Sequence, residues 1–196
     1  MENQTNMQQK LREFKGLILD ADGVWFTGHE ERAVLPDGSV VIVKKRHFHD
    51  GQGLSFLRAL GIKVVFATGE GEPLGSIVDK INKIPSVASG EWAPVALFTG
   101  ELKKGGKVAS LQAWMQRENL SWSDCVYIGD DRTDLEAMIE LKKNGGFAVA
   151  PANARRVITK IADLVLKEKG GEGAIREFAE MVLDARGIDE ATLPAA

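Results

Sequence analysis

Short apolar runs that end abruptly in polar residues recur along this chain, and segments with helical periodicity separate them. The apolar runs cover residues 14–19, 62–67, 125–128, 147–150 and 162–166. The helical patterns cover residues 52–60, 74–83, 108–118, 135–143 and 153–161. Alternation of such apolar strands with helices is typical of a parallel sheet that helices cover on both faces. The sequence therefore predicts a doubly wound, Rossmann-like α/β fold.

One stretch, residues 24–49, interrupts this alternation. Two aliphatic runs, 33–35 and 39–43, flank the turn sequence Pro-Asp-Gly at 36–38, which predicts a small β-hairpin insertion. With roughly 150 residues per domain, the 196 residues are expected to form a single domain, 1–196. Apolar residues at helical spacing predict a C-terminal helix over about 171–187, and the polar first dozen residues are expected to be frayed or disordered.

Charge and composition exclude several classes of partner. The 25 basic and 28 acidic residues give a net charge of −3 and are scattered along the chain, so we expect no nucleic-acid partner. No apolar run approaches the roughly 18 residues of a membrane span, and the first residues lack the apolar stretch of a secretory signal. The one cysteine, Cys125, lies in an apolar run. These features predict a cytoplasmic protein whose partner is a small molecule.

Polar side chains follow the predicted strands at the point where each strand ends. Because ligands of doubly wound sheets bind beyond the carboxyl ends of the strands, we expect these residues to share one site. The residues are Asp20, Asp22, Thr68, Asp130 and Asp131.

This set of residues suits phosphoryl transfer. Asp20 can act as a nucleophile that forms an acyl phosphate, while Asp22 can protonate the leaving oxygen and later accept a proton from water. Carboxylates repel a phosphate, so a cation is needed between them, and oxygen ligands favour Mg²⁺. The candidate ligands are the carboxylates of Asp20 and Asp130 and the backbone carbonyl of Asp22. Gly23 allows the backbone a close approach to the phosphate.

The transferred phosphoryl group also needs hydrogen-bond donors and a fixed positive charge. The candidates are the Thr68 hydroxyl, Gly69 and Lys107, which we favour over its neighbours because its spacing from Asp130 leaves room for one helix and one loop. We expect Asp131 to support the metal site indirectly. Asp134 is expected either to do the same or to cap a helix beginning near Leu135.

In this order the motifs resemble the haloacid dehalogenase superfamily of phosphohydrolases. The motifs are 20–24, Thr68–Gly69, Lys107, and 129–131 with Asp134. The chain carries a small hairpin in place of a large cap, a predicted turn at 49–53 and the segment 170–177. These features are similar to the branch containing 3-deoxy-D-manno-octulosonate 8-phosphate phosphatases and the phosphatase-like module of acylneuraminate cytidylyltransferases. The resemblance implies a Mg²⁺-dependent phosphatase of sugar-acid phosphates. It also implies a homotetramer in which one subunit's hairpin and tail help to close a neighbour's site.

The sequence departs from this branch in two places. Glu70 stands where the branch often has an arginine, and an acid there should repel a sugar acid. The stretch 89–106 is longer than in the octulosonate enzymes. His47 and His49 are expected to be structural or solvated rather than catalytic.

Two further functions stay open as alternatives. One is a weakly catalytic or non-catalytic module of the same fold that assembles oligomers in sugar-nucleotide metabolism. Retention of both Asp20 and Asp22 favours catalysis, because assembly alone needs neither. A receiver domain is disfavoured, because in receivers the acceptor aspartate follows an acidic pair near the N-terminus and the lysine comes last. This chain does not follow that order.

Overall fold

The computed structural model describes residues 2–69, 71–100 and 106–194, with side chains from residue 5 onward. Its strands are β1 (Gly16–Leu19), β2 (Glu30–Val34), β3 (Val40–Lys44), β4 (Lys63–Ala67), β5 (Ala96–Phe98), β6 (Cys125–Ile128), β7 (Phe147–Ala150) and β8 (Leu164–Val165). Its α-helices are α1 (Glu2–Glu13), α2 (Phe48–Ala59), α3 (Leu74–Ile81), α4 (Pro85–Ala88), α5 (Gly106–Glu118), α6 (Arg132–Lys143), α7 (Arg156–Thr159) and α8 (Ala174–Arg186).

Six of the strands form one parallel sheet in the order β5-β4-β1-β6-β7-β8. Leu19, the last residue of β1, is in register with Phe66 of β4 and Ile128 of β6. After β1 the chain builds the sheet outward through β4 and β5 and then returns to place β6 on the other side of β1. Crevices that bind ligands form at such reversals of strand order. The sheet thus places the residues after β1 and β6 at that crevice.

The central strands β1, β4, β6 and β7 are buried on both faces of the sheet, because apart from Lys63 at the start of β4 they carry no charged residue. Successive side chains of a strand point to opposite faces, so Leu17 and Leu19 pack on one face and Ile18 on the other. The first face is covered by α1, α2, α3 and α8, and the second by α5, α6 and α7. The predicted doubly wound α/β fold is confirmed.

None of the described helices is long and apolar enough to cross a membrane.

The hairpin of β2 and β3 projects from this body as a separate two-stranded sheet. Val34 pairs with Val40 next to the turn, where the Leu35 N–H donates to the Ser39 carbonyl at 2.8 Å. Gly38, with φ of 82°, supplies the left-handed residue that closes the turn. All but the last residue of the two strands are exposed, including four aliphatic side chains of β3.

The two motifs at 49–53 and 170–177 meet where α2 packs against α8. Asp50 is fully buried and accepts hydrogen bonds from the N–H groups of Gly173 and Arg176, at 3.1 and 3.0 Å. It thereby satisfies amides at the start of α8 that have no partner within the helix. A Cβ atom at Gly53 would lie 2.9 Å from the Arg176 Cα, so this position requires glycine for the close packing of the two helices.

Several elements differ from the prediction. The first dozen residues form α1 rather than a frayed end, because Leu11 is buried and the Arg12 Nε donates to the Ala185 carbonyl of α8 at 2.6 Å. The strand β5 was not predicted, as its three residues are only half-buried at the sheet edge. Residues 49–53 lie in α2 instead of a turn. The helix predicted at 153–161 is reduced to α7, because the residues before it bond to the site loop described below.

Candidate active site

The carboxyl ends of β1, β4 and β6 open into a cavity of about 810 Å³. The Asp20 N–H donates to the Ile128 carbonyl at 3.1 Å, which extends the pairing of β1 with β6 by one residue and brings the two loops side by side. The cavity is lined by every described residue that the sequence predicted for the site, except Asp134, which lies behind the cavity wall. These lining residues are Asp20, Asp22, Gly23, Thr68, Gly69, Lys107, Asp130 and Asp131.

Lys107, in the first turn of α5, reaches the centre of the site. Its Nζ lies 2.8 Å from Asp20 Oδ1 and 2.6 Å from Asp134 Oδ1. The Lys107 side chain is only 8% exposed, so both contacts are charge-assisted bonds shielded from water. Burial lowers the pKa of Lys107, but the two carboxylates more than offset this and leave that pKa raised.

Asp134 is fully buried beneath the loop that follows β6. Its Oδ1 accepts from Lys107 and from the Tyr127 hydroxyl, while its Oδ2 accepts from the N–H groups of Asp130 and Asp131. Asp134 is not the N-cap residue that the sequence suggested, because α6 begins at Arg132 rather than near Leu135 and Asp131 is the N-cap. The bond from the Asp131 N–H to Asp134 completes a capping box. Asp134 instead stands at the third position of α6, where it fixes both the lysine and the loop.

Burial and neighbouring negative charges disfavour the ionised forms of the Asp20 and Asp130 carboxyl groups. Burial, and then the charge of Asp134, raise the pKa of Asp20 to about 7, although Lys107 opposes the shift. Burial, Asp134, Asp20 and Asp131 together raise the pKa of Asp130 to about 7. A positive charge that enters the cavity therefore stabilises the ionised form of each carboxyl group.

The site fits a divalent cation. Carboxylate oxygens of Asp20, Asp130 and Asp134 all lie within 4.8 Å of one another. The Oδ1 atom of Asp130 is buried and has no hydrogen-bond partner among the described residues, which leaves it available to a metal. Both oxygens of Asp134 are already engaged, so Asp20 and Asp130 are the better ligands. Oxygen donors of this kind suit hard cations such as Mg²⁺.

Gly23 explains how Asp130 comes so close to the first loop. Its φ is 86°, and a Cβ atom there would lie 2.1 Å from Asp130 Oδ2. The glycine therefore makes room for the carboxylate as well as allowing the turn after Asp22. The sequence prediction had attributed it only to the approach of a phosphate.

Asp22 is held by a residue that the sequence did not single out. Its Oδ2 lies 2.8 Å from the Nζ of Lys44, at the end of hairpin strand β3. The only signal in the sequence was the basic run 44–46, in which nothing distinguishes one cation from the others.

Asn153 is a second residue that sequence reasoning missed, although it follows an apolar run like the others. Its Nδ2 donates to the Gly23 carbonyl at 2.9 Å, and its Oδ1 accepts from the Gly170 N–H at 2.6 Å. The Gly171 N–H donates to the Val24 carbonyl at 2.8 Å. A Cβ atom at Gly170 would lie 1.8 Å from the Gly23 carbonyl oxygen. The turn before α8 therefore braces the loop that carries Asp22.

The remaining predicted residues occupy simpler positions. Thr68 is buried at the end of β4, and the exposed Gly69 follows it on the cavity wall. His47 and His49 do not line the cavity; the His47 Nδ1 accepts from the His49 N–H and caps α2. Glu70 lies outside the described residues, so its effect on an anionic substrate stays a prediction.

Comparison with known proteins identifies the family. A family model described as haloacid dehalogenase-like hydrolase matches residues 79–178. A curated relative, the 3-deoxy-D-manno-octulosonate 8-phosphate phosphatase KdsC of Haemophilus influenzae, is 31% identical over 92% of this chain and 89% of its own. This chain belongs to the haloacid dehalogenase-like hydrolase family.

Solved structures of this hydrolase family agree with that assignment. The 3-deoxy-D-manno-octulosonate 8-phosphate phosphatase of Moraxella catarrhalis, in complex with a magnesium ion, a phosphate ion and KDO, is 26% identical with a TM-score of 0.73, over 93% of both chains. The cobalt-bound phosphatase of Haemophilus influenzae is 29% identical with a TM-score of 0.72, over 91% of this chain and 92% of that one. The predicted family, fold and phosphatase class are confirmed.

Proposed function

We propose that this protein is a Mg²⁺-dependent phosphomonoesterase that hydrolyses a small sugar-acid phosphate such as 3-deoxy-D-manno-octulosonate 8-phosphate. The observation that carries the proposal is the contact of Lys107 with Asp20, beside the unpartnered Asp130 oxygen. A nucleophilic carboxylate, a fixed cation and a candidate metal ligand thus face one cavity of about 810 Å³. The names of the relatives support the substrate class.

In the first step a carboxylate oxygen of Asp20 attacks the phosphorus atom and the ester P–O bond breaks. The departing oxygen takes a proton from Asp22 and leaves as an alcohol. The product on the protein is an aspartyl phosphate at Asp20. Lys107, the Thr68 hydroxyl and the backbone at Gly69 donate to the phosphoryl oxygens and hold them in place.

In the second step a water molecule attacks the same phosphorus atom and gives a proton to Asp22. The bond between Asp20 and phosphorus then breaks, which releases inorganic phosphate and restores both carboxyl groups. Asp20, Asp130 and the Asp22 carbonyl would hold Mg²⁺, and the bound ion would supply positive charge that offsets the repulsion between the carboxylates and the phosphate.

The proposal extends to the quaternary structure, which we expect to be a homotetramer. Six large apolar side chains of the hairpin are exposed to solvent and lie close together on its two strands and turn. They are Val34, Leu35, Val40, Val41, Ile42 and Val43. Apolar patches of this kind favour association with another subunit. A subunit that covers the hairpin would also narrow the open side of the cavity and exclude water from the reaction.

Phosphate release across a panel of sugar phosphates and sugar-acid phosphates tests the proposal, with Mg²⁺ and with a chelator. We expect release that requires Mg²⁺ and favours sugar acids. Asp20→Asn should lower turnover by several orders of magnitude while the protein stays folded. Asp184→Asn, which removes a carboxylate from the exposed side of α8, is the matched control and should keep full turnover. Absence of release from every compound would instead favour the assembly module.

A further inference from the structure

The ion pair between Lys44 and Asp22 joins the hairpin to the first catalytic loop. The Lys44 side chain is only 3% exposed, whereas that of Asp22 is 37% exposed. The Nζ atom of Lys44 lies 2.8 Å from Oδ2 of Asp22. Asp22 lines the cavity and Lys44 does not. The lysine therefore stands behind the carboxylate, on the side away from an incoming substrate.

The backbone contacts around this ion pair fix the position of Lys44. Lys44 is the last residue of β3 and pairs with Glu30 across the hairpin. One residue later, the Lys45 carbonyl accepts from the Thr27 N–H at 3.0 Å. Phe26 in the same loop lies 5.9 Å below the ammonium, at cation–π distance. The base of the hairpin and the loop after Asp22 thus form one connected piece.

Lys44 and Lys107 contact different aspartates. Lys107 comes from α5 and bonds to Asp20 and Asp134, whereas Lys44 comes from the hairpin and bonds to Asp22. A carboxyl group that is more than one-third exposed can otherwise rotate and bond to water. The ammonium of Lys44, a residue whose backbone is held by strand pairing, restricts that rotation through its bond to Asp22 Oδ2.

We propose that Lys44 is a positioning residue that orients the Asp22 carboxyl toward the leaving-group oxygen. This rests on the proposed function, in which Asp22 transfers the proton. Small errors in the placement of a reacting group cost large factors in rate. The hairpin then has a second task besides the expected closure of a neighbouring subunit's site: its last residue sets the geometry of proton transfer.

The test compares Lys44→Met with the parent protein on two substrates, with Mg²⁺ present. The substrates are 3-deoxy-D-manno-octulosonate 8-phosphate, whose alkoxide must be protonated as it leaves, and p-nitrophenyl phosphate, whose leaving group departs without a proton. We expect kcat/KM to fall about tenfold to 100-fold on the first substrate, through kcat rather than KM. On the second substrate it should change by less than about twofold. Lys44→Arg, which keeps the charge, should restore part of the loss.

The Asp22→Asn background shows whether Lys44 acts through Asp22. If it does, Lys44→Met causes no further loss once Asp22 has been replaced, because effects of coupled residues are not additive. An equal loss in both backgrounds, or an equal loss on both substrates, would overturn the proposal.

The neighbouring Lys45→Met provides a matched control for these measurements. Lys45 is 66% exposed and pairs with Glu31 across the hairpin, away from the cavity. Its replacement should leave both substrates unaffected. A parent protein without Mg²⁺-dependent hydrolysis refutes the proposed function itself. An active parent protein with an unchanged Lys44→Met variant refutes only the role of Lys44.

Discussion

The Nζ atom of Lys107 lies 2.6 Å from Asp134 Oδ1, in a position that bulk water barely reaches. Through this bond α5 is tied to α6, and the lysine is aimed at Asp20. Asp134 also holds the N–H groups of the loop that carries Asp130. One buried carboxylate thus sets the relative positions of the proposed nucleophile, its cation and the candidate metal ligand.

Asp134→Ala should therefore lower the free energy of unfolding by about 3 kcal/mol or more, because it removes one partner of a buried ion pair and leaves amides unbonded. Turnover should fall as well, since Lys107 loses one of its two anchors. Urea denaturation and phosphate release measure the two effects. The control is Asp184→Ala, at an exposed position of α8. Equal stability of the two variants would contradict this role of Asp134.

The stability of the metal-free protein should fall as the pH rises. The pKa of both Asp20 and Asp130 is raised to about 7, so the native state keeps protons that the unfolded chain releases near pH 4. Stability falls with pH wherever the native state binds more protons. We expect the decline between about pH 4 and pH 7, and Mg²⁺ should reverse it at pH 8.

Urea denaturation at pH 5 and pH 8, with chelator and with Mg²⁺, measures this dependence. Asp130→Asn removes one of the two groups and should make the decline smaller. The explanation fails if this variant keeps the full pH dependence, or if Mg²⁺ stabilises the protein equally at both pH values.

Replacement of Asn153 by alanine should loosen the loop after Asp22. The variant loses the bonds to the Gly23 carbonyl and the Gly170 N–H, each worth about 1 kcal/mol. We expect a loss of stability near 2 kcal/mol and a fall in kcat of about tenfold. Asn144→Ala, at the exposed end of α6, makes the same chemical change away from the site. A kcat as high as that of the control would argue against the bracing role.

A charge on the hairpin should disrupt the expected tetramer. Val40 is 55% exposed in the single chain, and burial of Val40→Glu against another subunit would leave a carboxylate without water. We expect light scattering coupled to size-exclusion chromatography to give a smaller species with reduced activity. Val165→Glu is the control, as Val165 is 47% exposed on β8. A parent protein that is a fully active monomer would contradict the expectation.

The parts of the fold that follow from local pattern were predictable. Each of the longer strands of the sheet is identifiable in the sequence as an apolar run. Parallel pairing of β1 with β6 then brings Asp20 and Asp130 to the same edge of the sheet, at the carboxyl ends of the strands. Lys107 was also identified, because one helix and one loop had to fit before β6. By contrast, β5 has three half-buried residues and no periodicity strong enough to mark it.

The contacts that the sequence did not reveal are between residues far apart in the chain. Asn153 bonds to Gly23 across 130 positions, and nothing in the neighbourhood of either residue specifies the other. Lys44 is one of three adjacent cations, and only the register of the hairpin selects it. The helix α1 is polar over most of its length and is stabilised by its packing on α8 rather than by its own composition.

The close approach of Gly170 to the Gly23 carbonyl has a consequence for synthesis of the protein. Asp20 and Asp22 emerge from the ribosome before the turn at 170–171 that supports their loop has been translated. A nascent chain at that stage carries these acidic residues without a complete site. A stop codon upstream of position 170 would remove this turn and leave the loop that carries Asp22 without its support.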